Sequence, residues 1–294
     1  MLANLRLQNM LLRLAKGGPE QQAIEAGEID AFIDYASSNV ILLPAARRAL
    51  REVANRAPAA NREAANQASI ANSLLAALPQ AEYQRLLAGL QPVTLTFGEV
   101  LYEPGAPIRH AYFPINCLVS LLTTVKGHRA LEVGLVGHEG MVGIALALGI
   151  DVSPARALVQ ASGTAMRMEA ARFRNEFLQS IALQQAVYRY THALMAQISQ
   201  IAACNQFHSL EERLARWLLM TRDRVGSNGF RLTHELLAGL LGVRRVGVTM
   251  AAGVLQKRKL IECGRGEITI LDRKRLSAAA CECYQIIKRI YDSA

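Results

Sequence analysis

The chain has 294 residues, 51% apolar and 5% aromatic, which is enough to fill a core and to form two domains. Of its formal charge of +9, +7 falls on residues 205–294, where 16 Lys and Arg face 9 Asp and Glu, so that segment suits a polyanionic partner. Five scattered cysteines exclude a disulfide framework, and the longest lipid-like run (residues 141–150) is too short and too glycine-broken to span a bilayer; the chain reads as cytoplasmic.

Residues 1–70 read as an N-terminal extension of helical character and unassigned role. An amphipathic stretch (Leu2, Leu5, Leu12) carries Arg6 and Arg13 among its apolar positions, unlike a secretory signal, and ends at Lys16-Gly17-Gly18-Pro19. A helix-like segment follows at residues 27–36. Val40-Ile41-Leu42-Leu43 then precedes Pro44, an alanine- and arginine-rich helix comes next, and residues 61–72 resemble a connector.

Residues 71–180 are expected to form a small antiparallel β-roll. Val93, Leu95 and Phe97 alternate; Tyr112-Phe113, residues 117–124 and residues 131–136 follow as short β-like runs, with Lys126-Gly127-His128 as a hairpin turn. Helix returns near Ala170 and runs to about residue 206. Within it Val187, Tyr190, Leu194, Ile198 and Ile201 recur at three- and four-residue steps, a stripe that suits a dimerisation helix over 181–206; packing on the chain's own roll is the alternative.

Ser209-Leu210-Glu211-Glu212 has the form of a capping box and starts a new helix. Residues 232–260 then carry helix-turn-helix spacing: Ala238 where two helices touch, Gly242 for a sharp turn, Val248 closing the core, with Leu236, Leu240 and Leu255 beside it. The second helix opens on Arg244-Arg245. Residues 261–270 read as two strands around Gly264-Arg265-Gly266, a wing that presents Arg265 to phosphate. The winged helix-turn-helix spans 207–275, and a final helix runs from about Asp272 to Tyr291, residues 276–294 forming a C-terminal segment. Cys281-Glu282-Cys283 is too tight for a zinc knuckle, shows no partner pair, and on one helix would point its thiols apart; ordinary thiols are the expectation, a redox or metal role the alternative.

An α+β chain with a helical extension, a β-roll, a long helix and a winged helix-turn-helix, in that order, resembles the Crp/Fnr family of bacterial transcription regulators over about residues 74–271. Residues 97–105 carry the family's glycine-x6-glycine turn, Glu139-Gly140-Met141-Val142-Gly143 resembles the run entering its effector pocket, and Pro154-Ala155-Arg156-Ala157 sits where cyclic-nucleotide-binding members carry a phosphate cassette. The resemblance implies a homodimer on a palindromic DNA operator, working with RNA polymerase. It places the effector pocket around Gly143, Ile144, Arg156 and Ala157. Ile144 and Ala157 replace the ribose-binding glutamate and phosphate-binding serine of cyclic-nucleotide-binding members, leaving only Arg156, so tight binding of cyclic AMP is not expected.

At the DNA end, Arg245 falls on the family's guanine-reading arginine, while Val246 and Met250 replace a glutamate and a later arginine, which implies a different half-site. Arg244 and Thr249 complete the candidate reading surface, and Thr233, His234 and Arg265 are candidate phosphate anchors. No resident cofactor or metal is expected and the effector is unidentified. Haem ligation by His110, His128, His138 or His192 is a weaker reading than ordinary polar histidines. No nucleotide-binding glycine loop, nucleophile elbow or metal-spaced histidine pair argues for an enzyme. The reading from another class is a ligand-sensing or protein-interaction module with only non-specific DNA affinity.

Overall fold

The structure, a computed structural model, describes residues 31–34, 39–42, 72–124, 126, 130–264 and 266–293. The chain divides into two units, residues 1–61 and 62–294. In the first, β1 (Ala31–Asp34) pairs antiparallel with β2 (Asn39–Leu42), Phe32 opposite Ile41. This corrects the helix expected over 27–36: Phe32 and Ile33 are strand formers, and Val40-Ile41 supplies a partner a few residues on. The other elements expected in residues 1–70 lie outside the described residues.

The second unit opens with two short helices, α1 (Ser73–Ala76) and α2 (Gln80–Leu87). The wholly buried Asn72 accepts from the Leu75 amide to cap α1 and donates to the carbonyls of Pro114 (2.8 Å) and Gly140 (2.9 Å), tying α1 to the roll. The roll has two antiparallel sheets. One runs β3-β9-β5, from Gln91–Leu95, Gly163–Glu169 and His110–Pro114; the other runs β4-β8-β6-β7, from Val100–Tyr102, Arg156–Ala161, Leu118–Thr123 and Leu131–Val136. Strands therefore occupy the expected runs, except that Phe97 lies past the end of β3. Most of the predicted turn at 126–128 lies outside the described residues.

The single helix expected over 170–206 is two. α3 (Ala170–Gln179) stops at Ser180, whose extended backbone starts α4 (Ile181–Phe207) and whose hydroxyl accepts from the Leu183 amide. At 27 residues, α4 is about 40 Å long. It lies directly on the roll. Gly140 makes the approach possible, since a Cβ there would overlap the Tyr190 ring, and the Tyr190 hydroxyl donates to the Met141 carbonyl at 3.1 Å. Val187, Tyr190, Leu194 and Ile201 are consequently buried in the protomer's own core, and Ile198 is half-buried. The stripe read as a dimer seam is thus used inside the chain. The opposite face of α4 instead exposes Ile181, Tyr188 and Met195, each seven residues after the last.

α5 (Leu210–Val225) starts with the predicted capping box, Ser209 and Glu212 each bonding the other's backbone. Then come β10 (Gly229–Arg231), α6 (His234–Leu241), α7 (Arg245–Lys257), β11 (Ile261–Gly264), β12 (Glu267–Ile270), α8 (Arg273–Ala279) and α9 (Cys283–Asp292). The last two correct the single terminal helix: the chain turns extended at Ala280 and restarts at Cys283, with neither Gly nor Pro to announce the break. No single helix among the described residues is long and apolar enough to cross a membrane.

Buried polar contacts join α5 to the roll. Glu132 on β7 accepts from the Ser120 hydroxyl (2.6 Å) and from the indole N–H of Trp217 (2.8 Å). Arg224 donates to Glu139 (2.6 Å) and to the side-chain oxygen of Gln197 on α4 (3.1 Å). Full burial pushes the Glu132 carboxyl up from 4.5 to about 7, although the two donors and nearby arginines pull the other way. Its folded-state value is raised, so between about pH 4.5 and 7 the folded chain holds a proton that the unfolded chain has released. Stability should therefore fall as pH rises through that window, by about 1.4 kcal/mol per unit. Glu132→Gln removes the charge while its Oε1 can still accept from the Trp217 indole and its amide nitrogen can donate to the Ser120 hydroxyl oxygen, reversing that bond. It is expected to flatten this dependence and raise the melting temperature at pH 8. Identical pH profiles for the two chains would contradict the assignment.

Candidate nucleic-acid interface

The reading unit is built by local chemistry. The Thr233 hydroxyl accepts from the Leu236 amide and starts α6. Gly242 ends it in left-handed backbone (φ +66°), and α7 leaves at 107° to α6. Ala238, Val248, Ala251, Ala252 and Leu255 are fully buried between the two helices and α5; Leu240 is buried beside them and Leu236 half-buried. The turn is also held from beneath, because Arg213 on α5 donates to the Leu241 carbonyl at 2.5 Å.

The exposed side of α7 carries the residues singled out from the sequence. Arg244 is the N-cap, and Arg245, Val246, Thr249 and Met250 follow on the solvent face, with Val246 and Met250 exposed by 62% and 68%. No hydrogen bond or ion pair within the described residues ties down the guanidinium of Arg244 or Arg245. Two large apolar side chains left in water beside two unpaired cations, at a helix N-terminus, form a surface suited to a polyanion with apolar features in its groove.

Thr233 and His234 stand at the mouth of α6. The imidazole Nδ1 of His234 meets the Thr249 hydroxyl at 3.0 Å, linking the two helices, a contact that sequence reasoning missed. Partial burial and then the Arg245 charge hold His234 below the usual histidine range, which keeps it neutral at pH 7. Lys257, Arg258 and Lys259 are exposed at the far end of α7. The wing is a three-stranded sheet ordered β10-β12-β11, so Gly229–Arg231 contributes a strand that the sequence reading did not assign. Arg265 at its tip lies outside the described residues.

The positions expected to line an effector pocket are differently engaged. Arg156 is buried and its Nε donates to Glu103 at 2.7 Å. Ala157 is wholly buried, Gly143 takes left-handed backbone (φ +98°) before a short 3-10 helix, Ile144–Leu148, and Ile144 packs partly into the core. Glu139 is bonded to Arg224 of α5. A cleft of about 460 Å³ opens elsewhere, where α1, α4, α5 and α9 meet, lined among others by Glu139, Tyr190, Arg224 and Tyr291.

Residues 212–279 match the Crp-like helix-turn-helix domain. Among solved structures, the chain is similar to a Eubacterium rectale protein described as a transcriptional regulator of the Crp/Fnr family (18% identity, TM-score 0.56, covering 70% of this chain and 96% of that one). It is similar to FixK2 from Bradyrhizobium japonicum (13%, 0.56, 65% and 98%). A third is the c-di-GMP-responsive global regulator CLP from Xanthomonas campestris (18%, 0.54, 66% and 100%). No curated protein matches the chain significantly in sequence. The chain thus has the fold of the Crp/Fnr regulators and carries a Crp-like helix-turn-helix domain.

Gly242 gives a direct check on this geometry. Its left-handed backbone disfavours a side chain, and an added Cβ would lie 2.7 Å from a methyl of Leu131 on β7. Gly242→Ala is expected to destabilise the chain by about 1–2 kcal/mol in denaturant titrations. A stability within error of the parent would contradict the turn as described.

Proposed function

We propose that this chain is a sequence-specific DNA-binding transcription regulator, a homodimer on a two-fold-related operator. The observation that carries the reading is the unpaired Arg244-Arg245 start of α7, exposed with Val246, Thr249 and Met250 on a helix-turn-helix of Crp-like type. In such a unit the N-terminal part of the second helix enters the major groove, and half-sites lie about 34–36 Å apart. Arg245 reads guanine through its O6 and N7, Val246 and Met250 meet thymine methyls, and Thr233 with the basic end of α7 positions the phosphates. His234, being neutral, contributes a hydrogen bond rather than a charge. Output passes through RNA polymerase.

The dimer forms through the exposed face of α4. Ile181, Tyr188 and Met195 are 71%, 53% and 64% exposed on a long helix whose other face is already buried, and two copies of that face interlock at a seven-residue repeat. Polar Gln185, His192 and Ser199 alternate with them along the same face, which moderates the cost of its exposure in a single chain.

The roll does not take cyclic AMP tightly. Arg156, the cation left at the expected phosphate site, is already bonded to Glu103, and Ile144 and Ala157 offer no hydrogen bonds. A low-micromolar dissociation constant by calorimetry would refute this.

Arg245→Ala is expected to lose about 1–3 kcal/mol of discrimination, roughly five- to 150-fold, between operator and scrambled duplex. Non-specific affinity should largely remain. An unchanged specificity ratio would remove Arg245 from base reading. Tyr188→Glu combined with Met195→Glu is expected to sediment as a monomer; a dimer of unaltered affinity would place the interface elsewhere.

A further inference from the structure

Away from the DNA-reading face, the end of α4 and the break between α8 and α9 bring four metal-ligating side chains together. Cys204 lies in the last turn of α4 and His208 is its C-cap, with extended backbone, while Cys281 precedes the restart and Cys283 opens α9. One ligand atom from each lies within 4.8 Å of all the others. The Cys204 and Cys281 sulfurs are 3.5 Å apart, and the Cys283 sulfur is 3.5 Å from His208 Nδ1. All three cysteines are buried and free.

The Cys204–Cys281 and Cys283–His208 contacts lie close to a tetrahedron's edges, and the 4.8 Å bound on the other pairs leaves room for the same geometry. With metal–sulfur bonds of about 2.3 Å and a metal–nitrogen bond of about 2.0 Å, the edges come to about 3.8 Å between sulfurs and about 3.5 Å between sulfur and nitrogen. The set is too tight for a multi-iron cluster, whose thiolates bind separate irons, and too wide at Cys204–Cys281 for a disulfide of about 2.05 Å. Three soft thiolates and one imidazole in a closed tetrahedron select a mononuclear Zn²⁺.

Two further features fit. The other ring nitrogen of His208, Nε2, lies 3.2 Å from the Glu282 carboxylate, which fixes the tautomer that leaves Nδ1 free to ligate. Arg213 and Arg216 on α5 are buried, act electrostatically on Cys204, and have Nε atoms without a hydrogen-bond partner. A Zn²⁺ ion with three thiolates carries a net charge of −1, a counter-charge for guanidinium groups removed from water. Gln200 donates to the Cys283 sulfur at 3.1 Å, a hydrogen bond that a ligated thiolate would keep.

We propose that Cys204, His208, Cys281 and Cys283 form a structural Zn²⁺ site that staples the C-terminal helices to the end of α4, at the joint leading into α5. Binding releases the three thiol protons as the metal–sulfur bonds form, so affinity falls at low pH. The site does not depend on the DNA-reading proposal.

The test uses the full-length chain, reduced, stripped with a chelator and titrated with Co²⁺ and then Zn²⁺. One equivalent of Co²⁺ is expected to give the intense visible absorption of a tetrahedral site with thiolate-to-metal charge transfer, and one equivalent of Zn²⁺ should bleach it. Cys281→Ser should lose much of the charge transfer. Glu282→Gln should keep the spectrum but bind about 10- to 100-fold more weakly, and it decides the matter if circular dichroism shows Cys281→Ser unfolded. Three results would overturn the proposal: a pale octahedral Co²⁺ spectrum indifferent to these changes, an iron–sulfur chromophore in protein isolated without oxygen, or a Cys204–Cys281 disulfide with no zinc uptake after reduction.

Discussion

The structure turns on the burial of α5 between the roll and the reading unit. Ten of the sixteen residues of α5 are buried, including Trp217 and three arginines. A helix so enclosed cannot shift without breaking polar contacts that water cannot replace. Trp217 is held by Glu132, Arg224 by Glu139 and Gln197, and Arg213 holds the Leu241 carbonyl in the helix-turn-helix turn. A buried ion pair such as Arg224–Glu139 contributes little net stability, but removing one partner costs about 3–5 kcal/mol. Such contacts define one arrangement sharply rather than deepening it. The path from roll to reading helix runs through them: β7 to Trp217, then along α5 to the turn from which α7 projects.

α4 serves two surfaces at once. Its inner face is spent on the roll, where Gly140 admits Tyr190, and its outer face repeats at seven residues. The break at Ser180 sets the helix in this position, because a continuous helix from Ala170 would have no capped start there.

What was legible in the sequence was what local chemistry decides. The reading unit was visible because Ala238, Gly242 and Val248 each answer a steric demand within one turn of chain, and the capping box at Ser209 answers the free amides of α5. The strands β3 and β7 were visible through alternation and β5 and β6 as short β-like runs, whereas β4, β8 and β9 were not assigned from the sequence. The stripe on α4 was visible as well, but periodicity cannot say whether an apolar face meets its own roll or another chain; the recurrence of Ile181, Tyr188 and Met195 was there to be read and was masked by the stronger stripe. The hairpin at Ala31–Asp34 was missed because Glu28, Ile29 and Asp30 before it suggest a helix. The cysteine and histidine cluster was missed for a tertiary reason. Cys204-x3-His208 is in plain view at the end of α4, but its partners reach it only because the chain turns extended at Ala280, which no Gly or Pro signals. Once the terminal helix is broken there, Cys281 and Cys283 no longer diverge.

The central claim is that the exposed start of α7 reads base sequence as part of a two-fold assembly. Selection of binding sites from random duplex DNA by the purified full-length chain, sequenced and repeated at two salt concentrations, tests it most directly. Charge neutralisation alone weakens steeply with salt, whereas base contacts survive as a ratio between sequences. The account predicts a palindromic motif that persists at the higher salt, with half-sites one helical turn apart and guanine opposite Arg245. A salt-sensitive pool with no motif would contradict it and leave the basic C-terminal third as a non-specific polyanion surface.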